Sequence, residues 1–402
     1  MRIGMILDKE FPPDPRVSNE ALSLSKAGFE VHLLCFNFGG RSAYERFNGV
    51  HIHRIFIPKG IVKKLRALVN TFPFYTMFLK REIERFVEAN AIDVLHIHDL
   101  YLLGAGLKAN QRLRLPVVAD LHENYVGALR YYKFSTTFPG NLLISIHRWE
   151  TAERKWVNAV DRVIVVIEEA AQRLQMLGVP EDKITVVANY VDMDRFMAFG
   201  IDQKIIDRFK DPFVISYLGG FDLHRGLESA VKAMPAIVQH IDKAKLVLVG
   251  EGKNSDALKQ LARELGVDSH ICFEGWQDFQ TFPSYIQASD VGLIPHLKNV
   301  HTDNTIPHKL FHYMLMGKPV VVSHCRPLER IVEETGCGLV FSSGDPARLA
   351  KAVIRLYEDS DEAREMGKRG RYAVRTRYNW TNASKALLEL YDALSHGVLS
   401  SR

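Results

Sequence analysis

The stretch Tyr217-Leu-Gly-Gly-Phe-Asp-Leu-His-Arg-Gly226 is the part of this 402-residue chain that sets the fold. An apolar strand over Phe213–Leu218 meets two glycines, and a loop then brings Arg225 to the start of a helix over Gly226–Ile237. Glycines let a backbone approach a phosphate closely, and a helix N-terminus presents free N–H groups and the positive end of the helix dipole. A permanently charged guanidinium beside them suits a diphosphate. The stretch predicts a phosphate site, although a plain strand-to-helix turn with a solvated arginine fits the same residues.

Strand–helix alternation continues on both sides of this stretch. Later in the chain, a helix near Ser255–Leu265 lies among strands expected at Leu246–Val249, Ile271–Phe273, Val291–Ile294, Val320–Val322 and Leu339–Phe341. Earlier in the chain, a helix over Ser18–Ala27 lies among strands expected at Arg2–Leu7, Val31–Phe36, Val94–Ile97, Val117–Leu121, Arg162–Ile167 and Val186–Ala188. Strand–helix–strand units of this length require parallel sheets whose faces are covered by helices.

The chain is therefore predicted to be an α/β protein with two Rossmann-like domains. The first domain covers residues 1–195, a linker covers 196–212, and the second domain covers 213–379. A C-terminal helix over residues 380–402 is expected to pack back on the first domain. Because open parallel sheets bind ligands at the carboxyl ends of their strands, two such domains facing each other across a central cleft would hold two substrates on opposite sides.

Composition limits the class of protein. Mean hydropathy is −0.08, and no apolar run approaches the roughly 18–20 residues that a membrane-spanning helix needs. The net charge of +5, from 52 basic and 47 acidic residues, is too small to indicate nucleic acid by itself. The chain begins with a strand rather than a secretion leader, and its cysteines have no paired spacing, so we expect a cytosolic location without disulfides or zinc.

A second motif with candidate binding residues follows later in the chain. A polar loop carries Asn304 and Thr305 towards a helix predicted to begin near Pro307, because proline fits the first helical position. Lys309 and His312 lie on the first turns of that helix. These side chains are candidates for binding an anionic ligand, and a capped surface helix is the alternative.

Further strings stand in a defined order along the chain. The second half carries the Gly-x5-Arg-Gly turn, then Leu246-Val-Leu-Val-Gly-Glu-Gly252, Phe273-Glu-Gly275, Ala288-Ser-Asp-Val-Gly-Leu-Ile-Pro295 and Lys309-Leu-Phe-x-Tyr-Met-x-x-Gly-Lys-Pro-Val-Val321. The first half carries Phe11-Pro-Pro-Asp-Pro-Arg16, Leu95-His-Ile-His-Asp99 and Asp120-Leu-His-Glu123. Over nearly the whole chain, this order and spacing resemble the retaining family 4 glycosyltransferases, which have the GT-B fold.

The resemblance implies a set of donor-binding residues, which are Gly219, Gly220, Arg225, Asn304, Thr305, Lys309 and His312. Arg225 and Lys309 would hold the diphosphate of a nucleotide sugar, with help from backbone N–H groups near Thr305. Asn304 and His312 would meet the ribose or the sugar. The chain departs from the family where Gly220 replaces a usual arginine and where Asn304 and His312 replace two glutamates.

On the acceptor side, the resemblance implies that His122 is the active-site histidine. An imidazole at the end of a strand can hydrogen-bond sugar hydroxyls near neutral pH, and a purely structural histidine is the alternative. The neighbouring Glu123 either caps the next helix or contacts the acceptor. Arg16, in a stiff proline-rich loop, either faces the acceptor or forms a surface salt bridge.

No metal or other cofactor is predicted. His96 and His98 share one face of a strand, but the sequence shows no third ligand for them. The string Asp192-Met-Asp194 resembles the family's interdomain junction rather than the metal-binding Asp-x-Asp of a different glycosyltransferase fold. The resemblance implies that cations and helix dipoles stabilise the leaving diphosphate without a metal.

Two basic and aromatic segments favour contact with an anionic membrane surface. Lys59–Arg81 holds six lysines and arginines and no acidic residue, interleaved with apolar side chains. Arg130–Trp149 also lacks acidic residues and carries several aromatic ones. The alternative is that the apolar side chains pack against the sheet while the basic ones are solvated.

Together these patterns predict a cytosolic glycosyltransferase with a peripheral contact to the inner face of a membrane. It would move a sugar, with retention, from a nucleotide sugar to a hydroxyl of a saccharide or lipid-linked acceptor, in cell-surface polysaccharide or glycolipid synthesis. No nucleic acid partner is expected. Two alternatives stay open: a non-catalytic relative that binds a nucleotide sugar or a partner enzyme, favoured by the replaced glutamates, and a sugar-nucleotide epimerase, which would need carboxylates for proton abstraction.

Overall fold

The structure, a computed structural model, describes residues 1–12, 14–58, 66, 73–130, 135, 137–138 and 140–400. The chain divides into two compact units. Unit 1 comprises residues 1–189 and 383–402, and unit 2 comprises residues 190–382. Each unit is built on a parallel or mostly parallel sheet, which confirms the predicted α/β class with two parallel-sheet domains.

Unit 1 contains an eight-stranded sheet. Its strands are β1 (Arg2–Ile6), β2 (Glu30–Asn37), β3 (Tyr44–Phe47), β4 (Val50–Phe56), β5 (Val94–His98), β6 (Val117–Leu121), β7 (Arg162–Val165) and β8 (Ile184–Val186). They lie in the order β3-β4-β2-β1-β5-β6-β7-β8, and among the described strand pairs of this sheet only β3–β4 is antiparallel. The direction of the strand order reverses between β1 and β5, so the carboxyl ends of these strands form the usual ligand-binding edge of such a sheet.

The hairpin of β3 and β4 is absent from the sequence prediction. Its turn is formed by Asn48 and Gly49, with φ angles of +49° and +91°. These left-handed conformations belong to a two-residue hairpin loop, for which Asn-Gly is a strong signal. In β4 the buried Val50 and Ile52 alternate with polar residues, as expected for a strand with one covered face.

Helices cover the sheet of unit 1. Their bounds are α1 (Pro15–Lys26), α2 (Phe74–Asn90), α3 (Leu100–Leu113), α4 (Tyr125–Leu129), α5 (Gly140–Leu143), α6 (Ile146–Ala159) and α7 (Glu168–Met176). Helix α1 begins at Pro15 because Oδ1 of Asp14 accepts a hydrogen bond from the N–H of Val17 at 3.1 Å. Apolar residues such as Ile97 and Leu103 fill the core between helices and sheet.

Unit 2 contains a six-stranded parallel sheet. Its strands are β9 (Phe213–Leu218), β10 (Ala244–Val249), β11 (Ile271–Gly275), β12 (Val291–Ile294), β13 (Val320–Ser323) and β14 (Gly338–Phe341). They lie in the order β11-β10-β9-β12-β13-β14, so the direction reverses between β9 and β12. The carboxyl ends of β9 and β12 are therefore the expected ligand-binding edge of this unit.

The helices of unit 2 are α8 (Met193–Met197), α9 (Gln203–Arg208), α10 (Leu227–His240), α11 (Ser255–Glu264), α12 (Phe282–Gln287), α13 (Lys309–Leu315), α14 (Arg326–Thr335), α15 (Pro346–Glu358) and α16 (Ser360–Thr376). A last helix, α17 (Trp380–Ser400), begins in unit 2, and its residues from Ala383 onwards belong to unit 1. Among the described residues, no helix is both long enough and apolar enough to cross a membrane.

Residues 196–212, which the sequence suggests as a linker, lie in unit 2 and include α9. Phe196 is 2% exposed, and its ring stacks on the ring of His312 with 4.3 Å between centroids. This aromatic contact attaches the segment to unit 2. Asp192 starts α8 by accepting a hydrogen bond from the N–H of Arg195 at 3.1 Å, which fits a structural role for Asp192-Met-Asp194.

Candidate active site

Two cations lie at the carboxyl ends of β9 and β12 in unit 2. Nη1 of Arg225 lies 3.3 Å from Nε2 of His296, while Nε of Arg225 is buried without a hydrogen-bond partner among the described residues. Nζ of Lys309, at the start of α13, lies 3.6 Å from the centroid of the Tyr217 ring. Burial and the charge of Arg225 hold the pKa of Lys309 well below its usual range. In the described part of the chain no carboxylate pairs with either cation, so this edge is prepared for an anion.

Two glycines are required by this arrangement. Gly219 has φ +132°, and a Cβ atom there would lie 2.9 Å from Nζ of Lys309. Gly226 has φ +68°, and a Cβ atom there would lie 1.9 Å from the carbonyl oxygen of Pro295. At Gly219 the positive φ disfavours a side chain, and at Gly226 both the positive φ and the backbone of Pro295 exclude one. Between them, Gly220 is exposed, and its carbonyl accepts a hydrogen bond from the hydroxyl of Tyr217 at 2.8 Å.

The other predicted donor residues are held by their surroundings. Nδ2 of Asn304 donates to the carbonyl of Val300 at 2.8 Å, and Oγ1 of Thr305 donates to the carbonyl of His301 at 3.1 Å. Burial lowers the pKa of His312 to about 3, so its ring is neutral near pH 7 and offers one donor and one acceptor. The helix predicted near Pro307 begins two residues later, at Lys309.

Neutral histidines surround the two cations. Burial, followed by the charge of Arg225, lowers the pKa of His224 to about 3 and holds the pKa of His296 well below its usual range. Nε2 of His224 is buried without a hydrogen-bond partner among the described residues. An anion bound here would therefore meet two cations and imidazoles that are able to take up a proton. The sequence prediction does not include these histidines, although His296 follows β12 by only two residues.

In unit 1, the carboxyl ends of β1, β5 and β6 carry a buried network centred on Asp120. Oδ2 of Asp120 lies 2.8 Å from Nε2 of His122 and 2.9 Å from Nδ1 of His98. Arg16 donates to both carboxylate oxygens, at 2.5 Å from Nη2 and 3.2 Å from Nε. Burial alone would raise the pKa of Asp120, but the charges of Arg16 and His122 hold it well below its usual range.

His122 has a carboxylate near each ring nitrogen. Besides the contact of Nε2 with Asp120, Nδ1 lies 3.5 Å from Oδ1 of Asp99. Burial lowers the pKa of His122, but the charges of Asp99 and Asp120 outweigh burial and raise the pKa above its usual value. The side chain is still 13% exposed, so part of the ring is accessible at this edge. The sequence prediction has His122 at this edge but does not include its two acids.

Asp99 is itself held by two neighbours. Nζ of Lys9 lies 3.2 Å from Oδ2 of Asp99, and the hydroxyl of Tyr101 donates to the same oxygen at 2.6 Å. The backbone of Asp99 has φ +68°, which is uncommon for a residue other than glycine. Such conformations concentrate at functional sites, where surrounding contacts maintain them. The conformation therefore supports a functional role for the carboxylate beside His122.

Arg16 is buried rather than exposed at the surface, with 5% of the residue accessible. Its Nη2 also contacts Glu20 at 2.8 Å, and its Nη1 donates to the carbonyl of Val187 at 2.9 Å and to Oδ1 of Asn189 at 2.6 Å. Of the five N–H donors of the guanidinium, four therefore make hydrogen bonds to protein acceptors, and two of these go to Asp120. The alternative of a surface salt bridge is excluded, and a contact of Arg16 with the acceptor stays a prediction. Arg16 positions Asp120.

Four buried side chains beside Arg16 come close enough to hold a metal ion, namely Glu20, His96, His98 and Asp120, whose ligand atoms lie within 4.8 Å of one another. The sequence shows His96 and His98 but no further ligand beside them. In the structure, Glu20 of helix α1 and Asp120 of strand β6 are the third and fourth candidate ligands. Arg16 already contacts both carboxylates of this group and supplies a positive charge. The absence of a catalytic metal stays a prediction.

Glu123 is partly exposed next to His122. The cap of helix α4 is supplied by Asn124, whose Oδ1 accepts a hydrogen bond from the N–H of Gly127 at 2.9 Å. Of the two roles suggested by the sequence, capping therefore belongs to the neighbour of Glu123. Contact with the acceptor remains the prediction for this carboxylate.

Known protein families match both halves of the chain. Residues 200–373 match the family described as Glycosyl transferases group 1, and residues 16–195 match Glycosyltransferase Family 4. The chain belongs to the GT-B glycosyltransferases of group 1, family 4. The cations of unit 2 lie within the first match, and the Asp120 network of unit 1 lies within the second.

The similarity of this glycosyltransferase to known proteins extends over its whole length. Phosphatidyl-myo-inositol mannosyltransferase of Mycolicibacterium smegmatis is 25% identical over 415 residues, covering 98% of this chain and 94% of that protein. Sucrose-phosphate synthase from Thermosynechococcus elongatus superposes with a TM-score of 0.79 at 19% identity, covering 99% of this chain and all of that one. HepE of Anabaena in complex with UDP-glucose has a TM-score of 0.71 at 16% identity, covering 98% of this chain and all of that one. The predicted GT-B fold is confirmed.

Proposed function

We propose that this glycosyltransferase moves a sugar from a nucleotide-sugar donor to a hydroxyl of a saccharide or lipid-linked acceptor, with retention of the anomeric configuration and without a metal. Unit 2 would bind the donor, and unit 1 would bind the acceptor. The observation that carries the proposal is the pair Arg225 and Lys309, two cations at one ligand-binding edge whose neighbours are histidines and a tyrosine.

A nucleoside diphosphate supplies the charge that these cations lack. When the bond between sugar and diphosphate breaks, negative charge grows on the leaving diphosphate, and cations already in position stabilise it most. Helix α10 begins directly after Gly226 and adds unpaired backbone N–H groups at the same edge. Two cations and a helix N-terminus perform the task for which other enzymes use a divalent ion, which supports the metal-independent reaction.

The rest of the donor would be recognised by neutral groups. Asn304 and His312 replace the family's glutamates, so the ribose or sugar would be held by hydrogen bonds without a fixed negative charge. The family resemblance implies that the base lies near Phe273–Trp276. Trp276 is 71% exposed and offers an aromatic face for stacking on a base.

His122 would contact the reacting sugar as a charged hydrogen-bond donor. Asp99 and Asp120 favour its protonated form, and the outward-facing part of the ring is available to a hydroxyl or a developing negative charge. Glu123, next in the chain, would contact the acceptor. Retention is carried over from the family resemblance.

Contact of unit 1 with an anionic membrane would bring the enzyme to a lipid-linked acceptor. In the segment Lys59–Arg81, the described Phe74 and Met77 on α2 are 73% and 49% exposed. Arg66, however, is bound to Asp8 at 2.5 and 2.8 Å and is not available to a lipid phosphate. Residues 59–65 and 67–72 lie outside the described part of the chain. One relative is named for a phosphatidyl-myo-inositol substrate, which fits a glycolipid acceptor.

The test is the thermal stability of the protein in the presence of UDP-, GDP- and ADP-sugars. A ligand far above its Kd raises the free energy of unfolding by a few kcal/mol, which appears as a rise in Tm. We expect one nucleotide to raise the Tm of the wild type but not of Arg225→Ala. Arg263→Ala, an exposed arginine at the end of α11, is the matched control and should respond like the wild type.

The second candidate function is that of a non-catalytic relative, which is favoured by the replacement of two glutamates by Asn304 and His312. An assay of product formation distinguishes this binding protein from an enzyme. For an enzyme, His122→Gln should abolish transfer while the Tm response to the donor is kept. A Tm response without any transfer by the wild type would favour the binding protein. No response to any nucleotide sugar would overturn the proposal.

A further inference from the structure

Away from the Asp120 network, histidines and an acid meet on another part of the unit 1 sheet. Glu30, His32 and His51 place ligand atoms within 4.8 Å of one another. His32 and His51 are direct neighbours in the parallel strands β2 and β4, and their rings stack with 4.6 Å between centroids. These residues lie near the amino ends of their strands, whereas the Asp120 network lies at the carboxyl ends. We propose that Glu30, His32 and His51 bind a divalent transition metal such as Zn²⁺ or Co²⁺.

The three side chains are already oriented by contacts at their other polar atoms. Nε of Arg2 lies 3.1 Å from Oε2 of Glu30, so Oε1 is the oxygen that faces His32. Nδ1 of His32 lies 3.2 Å from Nε2 of His53, and Nε2 of His32 is hydrogen-bonded to Oε1 of Glu30 at 2.9 Å, so a metal would replace the proton shared by these two atoms. Such outer contacts orient the ligands and select the ring tautomer in metal sites.

His51 also has an outer contact, although its ring is not yet turned towards the shared ion. Its Nδ1 lies 2.8 Å from the hydroxyl of Tyr44. When Nδ1 carries the proton and donates it to that hydroxyl, the lone pair is on Nε2, which is the state a metal needs. Each proposed ligand therefore has its own outer partner.

The distances suit a small ion. Nε2 of His32 and Oε1 of Glu30 are 2.9 Å apart, close to the roughly 3.3 Å between neighbouring ligands of a tetrahedral zinc with bonds of about 2.0 Å. Because the stacked rings of His32 and His51 are inclined by only 12°, the ring of His51 must rotate about χ2 before both lone pairs meet one ion. This torsion is soft for histidine, and His51 is only half-buried. Water would complete the coordination.

The donor set selects the class of metal. Two imidazoles and one carboxylate favour Zn²⁺, Co²⁺, Ni²⁺ or Cu²⁺ over Mg²⁺ and Ca²⁺, which prefer oxygen ligands. The side chain of Glu30 is 46% exposed, so an ion can enter from solvent. By contrast, the group around Glu20 is fully buried and contains the guanidinium of Arg16. A bound ion would cross-link β2 and β4 and stabilise unit 1.

The experiment is a titration of the full-length, chelator-treated protein with Co²⁺, followed by visible absorption and calorimetry. We expect one Co²⁺ per chain, displaced by Zn²⁺, and a rise in Tm with Zn²⁺. His51→Gln and Glu30→Gln should each weaken binding by at least about tenfold and remove the Tm rise. His240→Gln, an exposed histidine on α10 in unit 2, is the matched control and should bind like the wild type.

Both site variants replace accessible side chains, so they are expected to fold, which circular dichroism checks. Absence of stoichiometric Co²⁺ binding by the wild type would overturn the proposal. Unchanged binding by His51→Gln and Glu30→Gln would place the ion elsewhere and overturn it equally. Donor binding and sugar transfer involve other residues and are expected to stay intact in these variants, so failure of the metal site leaves the proposed function standing.

Discussion

The Asp120 network of unit 1 and the cation pair of unit 2 use charged side chains in opposite ways. In unit 1, Arg16 donates four hydrogen bonds to protein acceptors and contacts Glu20, and His122 lies between two carboxylates. In unit 2, Arg225 and Lys309 have only neutral neighbours among their described contacts. Buried charges that are paired fix the positions of the side chains that carry them, whereas buried charges without a counter-ion are typical of a ligand-binding site.

The largest expected effect is on the stability of unit 1. Asp120→Asn should lower the free energy of unfolding by about 3–5 kcal/mol, because it leaves the buried charge of Arg16 without its main partner. Urea denaturation of the purified protein measures the change. The matched control is Asp361→Asn, whose carboxylate pairs with Arg364 at 3.0 Å but is 88% exposed. That surface pair should contribute about 0–1 kcal/mol. Equal effects of the two variants would refute a stabilising role for the network.

In unit 2 the next largest effect is expected on ligand binding rather than on stability. Lys309→Met should weaken binding of the nucleotide sugar about 10–100-fold, since a hydrogen bond to a charged group contributes about 1.5–3 kcal/mol. The free energy of unfolding without ligand should stay unchanged or increase, because the variant removes a buried amine whose charged form has no counter-ion among the described residues. Calorimetric titration and urea denaturation give the two quantities. Lys243→Met, at an exposed lysine before β10, should change neither. If Lys309→Met lowered the free energy of unfolding without weakening donor binding, Lys309 would be a structural residue like those of the Asp120 network.

The strands could be predicted from the sequence because most are short apolar runs, as expected where helices cover both faces of a parallel sheet. Strands β6, β9 and β12 have the predicted bounds, and the bounds of the other predicted strands differ by two residues or less at either end. The hairpin of β3 and β4 was missed because its residues alternate in polarity instead of forming a run. The turn signal Asn48-Gly49 was present between them.

Some residues of the candidate site could be predicted from the sequence, and others could not. Gly219, Arg225 and Lys309 lie next to strand ends and helix starts, so local sequence identifies them. The contact between Arg16 and Asp120 joins residues 104 positions apart and depends on the order of β1, β5 and β6 in the sheet. A single sequence carries no direct signal for that order. The sequence therefore identifies Arg16 as a candidate site residue but does not reveal its contact with Asp120.

The smallest expected effect is the pH dependence of donor binding. Burial and like charge hold the pKa of Lys309 well below its usual range and lower that of His224 to about 3. A bound diphosphate brings negative charge and raises both values, so the complex binds more protons than the free protein. Binding that takes up protons strengthens as pH falls, by at most about tenfold per pH unit for each proton. We expect the affinity for a nucleotide sugar to decrease as pH rises, and to level off at a pH low enough for Lys309 to be charged before binding.

Proton uptake can be measured directly by calorimetry in buffers with different ionisation enthalpies. A nucleotide sugar is the required ligand, because a free nucleoside diphosphate has its own ionisation near pH 6. Lys309→Met should take up fewer protons when it binds the donor. The remaining proton uptake would come from His224 and His296. His122 should contribute little to this signal, since Asp99 and Asp120 already raise its pKa in the free protein. The wild type could instead bind its donor with the same affinity at every pH and without proton uptake. That result would mean that the cations of unit 2 already have counter-ions in the free protein, as the cations of unit 1 do.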